Sequence, residues 1–366
     1  MTVAEQLALR TVEGDLYESL EGSRIRCHAC GHCCPIPSGF AGVCKVRFNR
    51  GGKLLVPFGY VNALRCDPIE KKPFYHALPG TRALSFGMLG CDLHCGYCQN
   101  WVTSQALRDF RSSLDFHEIE PAEIVRLARQ QNASSVISTY NEPLITSEWA
   151  VAVFCEARQA GLVTGYVSNG NATPQVLEYL RPWVDLYKVD LKTFDDRRYH
   201  ELGGRLAPIL DSIARIHSMG FWLEVVTLVV PGFNDSDAEL EAIAGFLAGI
   251  SPDIPWHVTA FYPTYKMTGP GATPAHTLER AASIGRAAGL RYVYAGNLPG
   301  RFDELENTHC PNCRALLVER CGFEILQNRL TADGACPDCQ SAIPGFWRPG
   351  PQRARENFVT IQEQCD

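Results

Sequence analysis

The sequence predicts an α/β protein whose parallel sheet closes into a partial (β/α)6-type barrel. Short apolar runs rich in β-branched residues alternate with helix-like segments over residues 82–296. The alternation repeats six times, which is typical of parallel strands joined by helical crossovers. The span is shorter than the ~250 residues of a complete eight-fold barrel. An open, doubly wound sheet is the alternative architecture.

These periodicities place the elements along the chain and divide it into three parts. The strands are predicted at 82–89, 134–140, 162–169, 185–191, 221–230, 256–262 and 291–296. The helices are predicted at 121–131, 147–161, 174–182, 206–220, 237–250 and 275–289. Cysteine-rich segments flank this region, so we predict an N-terminal Cys-rich segment (1–80), a barrel (81–300) and a C-terminal four-cysteine module with a tail (301–366).

The composition excludes several classes of protein. A net charge of −6 without a long basic run does not indicate a nucleic-acid surface. No apolar run reaches the ~18 residues of a transmembrane helix, and the acidic N-terminal stretch does not resemble a signal peptide. We therefore expect a cytoplasmic protein without a membrane partner. Its sixteen cysteines cluster at short spacings, which favours thiolate metal ligands over disulfides.

The loop after the first barrel strand, "CDLHCGYCQN" (91–100), contains Cys91, Cys95 and Cys98. Thiolates suit zinc or iron–sulfur clusters. Three cysteines bind three irons of a four-iron cube and leave the fourth iron open, which a catalytic site needs. The alternative is a zinc knuckle that takes a remote fourth ligand, because His94 is poorly placed beside Cys95.

A second cysteine cluster lies near the C-terminus. Cys310 and Cys313 precede the hairpin-like segment "LLVERCGFEILQNRL" (316–330), and Cys336 and Cys339 follow it. Two CxxC pairs joined by a hairpin are typical of a zinc ribbon, in which four thiolates hold one tetrahedral zinc. A single rubredoxin-like iron is the rival, since the same thiolates bind either metal.

Polar residues follow several of the predicted strands. They form "TYNEP" (139–143), "SNGN" (168–171), "DLK" (190–192) and "PGFND" (231–235). The carboxyl ends of parallel strands share one edge of the sheet, where α/β proteins place their chemistry. The sequence therefore predicts a site at this edge, beside the three-cysteine loop.

The CxxxCxxC spacing, with Tyr97 before the last cysteine, resembles the signature of the radical S-adenosylmethionine (radical SAM) superfamily. "CGYCQNW", "TYNEP", "SNG", "DLK", "PGFND" and "YVYAGN" resemble the branch that contains pyruvate formate-lyase-activating enzymes. "VRFNRGGKL", "DPIEKKPFYHALPG" and the terminal "CPNC…CPDC…IPGFW" resemble the radical SAM enzymes of the AmmeMemoRadiSam system. The resemblance extends from about residue 24 to residue 347.

The resemblance implies a [4Fe–4S] cluster on Cys91, Cys95 and Cys98 and S-adenosylmethionine as the cofactor on its open iron. The residues implied to contact the cofactor or substrate are Thr139, Tyr140, Asn141, Glu142, Ser168, Asn169, Asp190, Lys192 and His257. The implied ligands of the N-terminal cluster are Cys27, Cys30, Cys34 and Cys44, which leaves Cys33 unused. Either zinc or an auxiliary iron–sulfur cluster is consistent with four thiolates.

The resemblance further implies an oxidoreductase in which a 5′-deoxyadenosyl radical abstracts hydrogen from a peptidyl or small-molecule substrate. A flavodoxin or ferredoxin is the expected reductant. Relatives that activate glycyl-radical enzymes usually have an acidic residue before "SNG", where this chain has Val167, so their extra cation site is not expected here. The alternative function is a zinc-organised scaffold or interaction protein without redox chemistry.

Overall fold

A computed structural model of the chain describes residues 3–109, 111, 116–302 and 304–347. The tail from residue 348 to residue 366, which we assigned to the C-terminal module, lies outside the described residues. None of the helices in the described ranges combines the length and the apolar character that crossing a membrane requires.

The N-terminal segment folds into one helix and several short strands. In chain order these are α1 (Val3–Ala8), β1 (Thr11–Glu13), β2 (Tyr17–Leu20), β3 (Arg24–Cys27), β4 (Pro35–Ile36), β5 (Phe48–Arg50), β6 (Lys53–Pro57) and β7 (Tyr60–Val61). They form two antiparallel sheets of three strands, β1-β6-β5 and β2-β3-β4. The first cysteine cluster lies within this region.

The central sheet confirms the predicted α/β barrel class. The strands from residue 63 to residue 296 are β8 (Ala63–Pro68), β9 (Arg82–Gly87), β10 (His117–Glu118), β11 (Ala133–Ser138), β12 (Val163–Ser168), β13 (Leu186–Asp190), β14 (Trp222–Val229), β15 (Trp256–Ala260) and β16 (Val293–Gly296). β10 pairs with β7, and the other eight form one sheet in the order β16-β15-β14-β13-β12-β11-β9-β8. Seven of them are parallel, and β8 is an antiparallel edge strand.

Helices follow the parallel strands as the sequence pattern predicts. They are α2 (Trp101–Ser104), α3 (Pro121–Gln130), α4 (Ser147–Gln159), α5 (Pro174–Leu180), α6 (Asp196–Glu201), α7 (Leu206–Ser218), α8 (Asp237–Ile250) and α9 (Ala275–Ala287). Two 3-10 helices lie at Ile69–Lys71 and Pro143–Thr146. Side-chain caps start three of the α-helices: Thr173 accepts a hydrogen bond from the amide of Val176, Asp195 from that of Arg197, and Ser236 from that of Glu239.

The predicted strands are too long at their polar ends. β11 ends at Ser138, and Tyr140 adopts a left-handed backbone with φ of 72° that no strand accommodates. The strand β8 was not predicted, because its half-buried sequence lacks an apolar alternation. Since β8 precedes residue 80 yet joins the central sheet, the N-terminal segment contributes directly to the barrel, and the domain boundary at residue 80 stays a prediction.

The C-terminal module is a three-stranded antiparallel sheet, which confirms the predicted hairpin. Its strands are β17 (Thr308–His309), β18 (Leu316–Cys321) and β19 (Glu324–Asn328). Arg320 of β18 is buried against the barrel, where its guanidinium donates to the carbonyl of Tyr75 at 2.8 Å and lies 4.4 Å from the Tyr75 ring. The amide of Tyr75 in turn donates to Glu224 of β14 at 3.0 Å. The module is therefore anchored to the barrel by a buried polar contact.

Candidate active site

One cavity of about 100 Å³ joins the three-cysteine loop to the polar ends of the parallel strands. The predicted site residues that line it are Cys91, Cys95, Cys98, Thr139, Tyr140, Asn141, Glu142, Ser168, Asn169, Asp190 and Lys192. The remaining lining residues are Leu93, Asn100, Ser104, Gln105 and Val167. The structure thus brings these predicted residues together, while their individual roles stay predictions.

Backbone hydrogen bonds hold the three-cysteine loop against neighbouring turns. The amides of Lys266 and Met267 donate to the carbonyl of Gly96 at 2.9 and 3.1 Å. The amide of His94 donates to the carbonyl of Leu202 at 2.8 Å. The His94 ring packs so tightly on Gly203 that a Cβ there would lie 2.4 Å from His94 Nδ1. The His94 side chain is thus engaged by this turn, as expected for a residue that is not a ligand.

The sulfur atoms of the loop are too far apart for a single ion. Within the described ranges, the only group of three or more potential ligands that lie within 4.8 Å of one another is the C-terminal one, so Cys91, Cys95 and Cys98 do not form such a group. Metal–sulfur bonds of ~2.3 Å in a tetrahedron place the sulfurs ~3.8 Å apart. The wider spacing fits a cluster in which each thiolate binds a different iron. Burial raises the pKa of the Cys95 thiol to about 12, so its thiolate needs a bound metal.

Glu142 is a buried carboxylate at the end of β11. It accepts hydrogen bonds from the Ser168 hydroxyl and the Asn169 amide, both at 2.7 Å. It also accepts from the Leu144 amide at 3.1 Å. Burial and then the negative charge of Asp92 raise the pKa of Glu142 to about 8. The carboxylate is therefore positioned by its donors but destabilised by its surroundings.

Asp92, which sequence reasoning missed, is the second buried acid of the site. Its Oδ1 accepts a hydrogen bond from Asn169 Nδ2 at 2.7 Å, and its Oδ2 accepts one from Asn171 Nδ2 at 2.8 Å. In the described part of the chain, its ion-pair contacts consist of His32 alone, at 4.0 Å, and Glu142 has none. The only sequence signal was its place directly after Cys91. The two acids thus form a buried acidic pair beside the cysteine loop.

Asp190 forms ion pairs with two lysines, whose positive charges offset its negative charge. It pairs with Lys188, and its Oδ2 lies 3.6 Å from Lys192 Nζ. Burial works against ionisation, but the two ammonium groups outweigh it and lower the pKa of Asp190. The role of Lys188 was missed in the sequence, although alternation along β13 places it on the same face as Asp190.

The structure does not bring His257 to this cavity. The side chain is buried, and its Nε2 lies 2.7 Å from the carboxylate of Glu224 on the neighbouring strand. The His257 ring packs edge-on against Tyr75 at 4.8 Å. Glu224 and Tyr75 also belong to the buried polar contact that anchors the C-terminal module. The neighbours of His257 therefore indicate a structural role, where we predicted contact with cofactor or substrate.

The C-terminal cysteines have the geometry of a single-ion site. Cys310 Sγ lies 3.5 Å from Cys339 Sγ, and Cys313 Sγ lies 3.6 Å from Cys336 Sγ. All four sulfur atoms lie within 4.8 Å of one another. These distances match the ~3.8 Å expected around one tetrahedral ion. The four sulfur atoms therefore have the geometry to hold one metal ion.

The fold is a partial α/β barrel that presents three thiols and several strand-end polar groups to one cavity. The Radical SAM superfamily model matches residues 87–246. The chain is 37% identical over 310 residues to the uncharacterized protein MJ0808 of Methanocaldococcus jannaschii, covering 84% of this chain and 91% of that protein. The chain belongs to the radical SAM superfamily.

Shorter matches link the chain to named activating enzymes. It is 39% identical over 74 residues to the benzylsuccinate synthase activating enzyme of Thauera aromatica, covering 20% of this chain and 22% of that one. It is 26% identical over 171 residues to the isethionate sulfite-lyase activating enzyme of Oleidesulfovibrio alaskensis, covering 44% and 55%. A crystal structure of a domain of a pyruvate-formate lyase-activating enzyme from Bacteroides vulgatus superposes with a TM-score of 0.40 at 18% identity, covering 45% of this chain and 100% of that one.

Proposed function

We propose that the protein is a radical SAM oxidoreductase that reductively cleaves S-adenosylmethionine at a [4Fe–4S] cluster held by Cys91, Cys95 and Cys98. The observation that carries this proposal is the loop of separated thiols, which faces the cavity that Glu142 also lines, with Asp92 buried behind Asn169. When bound, the cluster and cofactor supply a 5′-deoxyadenosyl radical, which abstracts hydrogen from the substrate. Family membership and the activating-enzyme relatives support radical chemistry.

The buried acids support a cationic ligand in the cavity. Glu142 and Asp92 share Asn169 as a donor and have no lysine or arginine partner among the described residues. S-adenosylmethionine has a sulfonium and an α-ammonium group, and a cation of either kind beside Glu142 favours the ionised carboxylate that burial and Asp92 disfavour. Glu142 accepts an N–H bond from the ammonium group in this proposal, while Ser168 and Asn169 keep the carboxylate oriented.

Lys192 is suited to the opposite end of the cofactor. Its ammonium group lies 3.6 Å from Asp190, which already pairs with Lys188, so the group of three has an excess positive charge. A lysine behaves as a mobile point charge. We assign to Lys192 the recognition of a carboxylate, either of the cofactor or of the substrate.

The surroundings of the loop help to exclude water. Leu93, Cys95, Tyr97, Leu202, Val230 and Phe261 form a buried apolar cluster. The Tyr97 ring packs edge-on against Phe233 at 5.6 Å. An apolar shell of this kind limits solvent access to a metal centre and protects a reactive radical. This part of the chain therefore supplies shielding in addition to ligands.

The remaining assignments follow from the same proposal. The names of the activating-enzyme relatives favour a peptidyl group on a partner protein as the substrate, with a small molecule as the second candidate. A flavodoxin or ferredoxin is the proposed reductant. Zinc is the proposed ion at the C-terminal cysteines, because the described sulfur spacing suits one tetrahedral ion. A scaffold without redox chemistry is not favoured, since it leaves the separated thiols of the barrel loop without a use.

The test is an anaerobic assay of the reconstituted protein with dithionite and S-adenosylmethionine. We expect 5′-deoxyadenosine and methionine in equal amounts, measured by liquid chromatography and mass spectrometry. The matched control is Cys98→Ala, which keeps the fold but removes one cluster ligand. A wild-type protein that contains its cluster and releases no more 5′-deoxyadenosine than this control contradicts the proposal.

A further inference from the structure

The N-terminal cysteines form a buried group beside the barrel loop. Cys27, Cys30 and Cys44 are each at most 6% exposed, and Cys34 is half-buried. All four are free thiols in the structure. The short spacing of the cysteines in the sequence favours metal ligands over disulfides. A buried group of free thiols is therefore a candidate metal site.

Each of these four sulfur atoms lies near an N–H group. Arg47 Nε donates to Cys27 Sγ at 3.2 Å. Backbone amides near the other three sulfurs favour their thiolate forms and lower the thiol pKa against the effect of burial: that of His32 at Cys30, that of Val43 at Cys34, and those of Val46 and Arg47 at Cys44. Such donors stabilise thiolates, and they tune the potential of iron–sulfur clusters.

Cys33 differs from its neighbours. Its sulfur is flanked by charged groups at a distance, but no N–H donor to it is found among the described residues. Its backbone has φ of 44°, so the chain turns at this residue. The N–H groups near Cys27, Cys30, Cys34 and Cys44 therefore favour these four residues over Cys33 as ligands.

The spacing of these sulfurs decides between a single ion and a cluster. Within the described ranges no three of the N-terminal cysteines lie within 4.8 Å of one another, in contrast to the C-terminal set. A single zinc holds four sulfurs ~3.8 Å apart. In a cluster of several irons the thiolates bind different metal atoms, so they lie farther apart. The N-terminal set shares the wide spacing of Cys91, Cys95 and Cys98.

We propose that Cys27, Cys30, Cys34 and Cys44 hold a second iron–sulfur cluster, with all of its cysteine positions filled by the protein. This goes beyond the proposed cleavage of S-adenosylmethionine and does not depend on it.

The second cluster lies against the loop of the first. The amide of Gly31 donates to the carbonyl of Asn171 at 2.8 Å, and Asn171 Nδ2 donates to Asp92 at 2.8 Å. Two hydrogen bonds thus connect the residue after Cys30 to the residue after Cys91. A Cβ on Gly31 would lie 2.3 Å from Asn171 Oδ1, so a larger residue there would displace the Asn171 side chain that reaches Asp92.

The test uses the full chain with Cys91, Cys95 and Cys98 all changed to alanine, purified and reconstituted without oxygen. Iron, zinc and acid-labile sulfide are counted per chain, and Mössbauer spectra are recorded on ⁵⁷Fe-labelled protein. We expect iron with an equivalent amount of sulfide to remain, together with zinc at the C-terminal site. A control with Cys33→Ser added should leave the counts unchanged, and a further Cys30→Ser with Cys34→Ser should remove the sulfide.

Zinc without sulfide in the barrel variant overturns the proposal, because the N-terminal cysteines then hold a single ion. Iron without sulfide overturns it as well, since that result indicates a rubredoxin-like ion. Should the barrel variant fail to fold, the wild-type sulfide count decides: more than four sulfides per chain supports two clusters, and four or fewer contradicts them. The iron and sulfide counts do not depend on the formation of 5′-deoxyadenosine. A failure of the proposed S-adenosylmethionine cleavage is therefore distinguishable from a failure of the proposed second cluster.

Discussion

The C-terminal module and the barrel loop use the same ligand type with opposite geometry. In the module, pairs of sulfurs lie 3.5 and 3.6 Å apart and complete a four-thiol set. In the barrel loop, three sulfurs stay apart and line a cavity. The short hairpin brings its cysteine pairs together, whereas backbone hydrogen bonds at His94 and Gly96 tie the barrel loop to the turns at Leu202 and Lys266. The difference teaches that cysteine spacing in space, more than in sequence, separates a closed structural site from an open catalytic one.

The electrostatic surroundings of the two sites differ as well. The barrel loop lies beside two buried carboxylates, Asp92 and Glu142. Buried acids without a cationic partner lower stability and persist where a function needs them. We interpret this destabilisation as a consequence of building a site for a cationic cofactor.

Changing Cys91, Cys95 and Cys98 to alanine gives the largest expected effect. We expect complete loss of 5′-deoxyadenosine formation with zinc retained in the C-terminal module. The matched variant, Cys310→Ser with Cys339→Ser, should lose zinc and keep the barrel iron. The iron and zinc contents of both variants are measured by metal analysis. Loss of zinc from the barrel variant, with its iron unchanged, would reverse our assignment of the metals.

Glu142→Gln tests whether the buried acid Glu142 contributes to the binding of S-adenosylmethionine. We expect the affinity for S-adenosylmethionine to fall by about 10- to 100-fold, the equivalent of ~1.5–3 kcal/mol for a hydrogen bond to a charged group. The iron content should stay unchanged, because Glu142 is not a ligand. Anaerobic calorimetric titration measures the affinity, and an unaltered value removes Glu142 from the cofactor site.

Arg320→Met tests how the two regions are joined. The variant leaves the carbonyl of Tyr75 without its buried donor, so we expect a loss of about 3 kcal/mol in the free energy of unfolding. The control is Arg329→Met, at an exposed pair with Asp338, for which we expect a change below ~0.5 kcal/mol. Equal effects in chemical denaturation would show that the buried contact does not anchor the module.

The pH dependence of stability gives the smallest effect. Burial and the charge of Asp92 raise the pKa of Glu142 from its ordinary value of 4.5 to about 8 in the folded protein. A raised carboxyl pKa contributes stability below the unfolded pKa, and this contribution is lost as pH rises towards the folded value. Without S-adenosylmethionine, the melting temperature of the wild type should therefore fall relative to that of Glu142→Gln between about pH 5 and pH 8. Parallel curves for the two proteins contradict a protonated Glu142.

The sequence predicts the barrel well because each parallel strand is a short apolar run followed by polar residues. Those polar ends, such as Glu142 and Asp190, gather at one edge once the strands are parallel. The sequence does not reveal Asp92 or Lys188, whose roles depend on contacts between distant segments. It also assigns His257 to the cofactor or substrate, whereas the folded chain places its ring against Glu224, two residues before Val226, its register partner on β14.

The most direct test of the central claim is a Mössbauer comparison of the ⁵⁷Fe-labelled protein with and without S-adenosylmethionine. The sample is the variant with Cys30→Ser and Cys34→Ser, so that the barrel cluster alone contributes sulfide-bound iron. We predict that one iron of four changes its environment when the cofactor is added, because Cys91, Cys95 and Cys98 leave one iron for an outside ligand. Four irons that remain unchanged on addition of the cofactor would contradict the account.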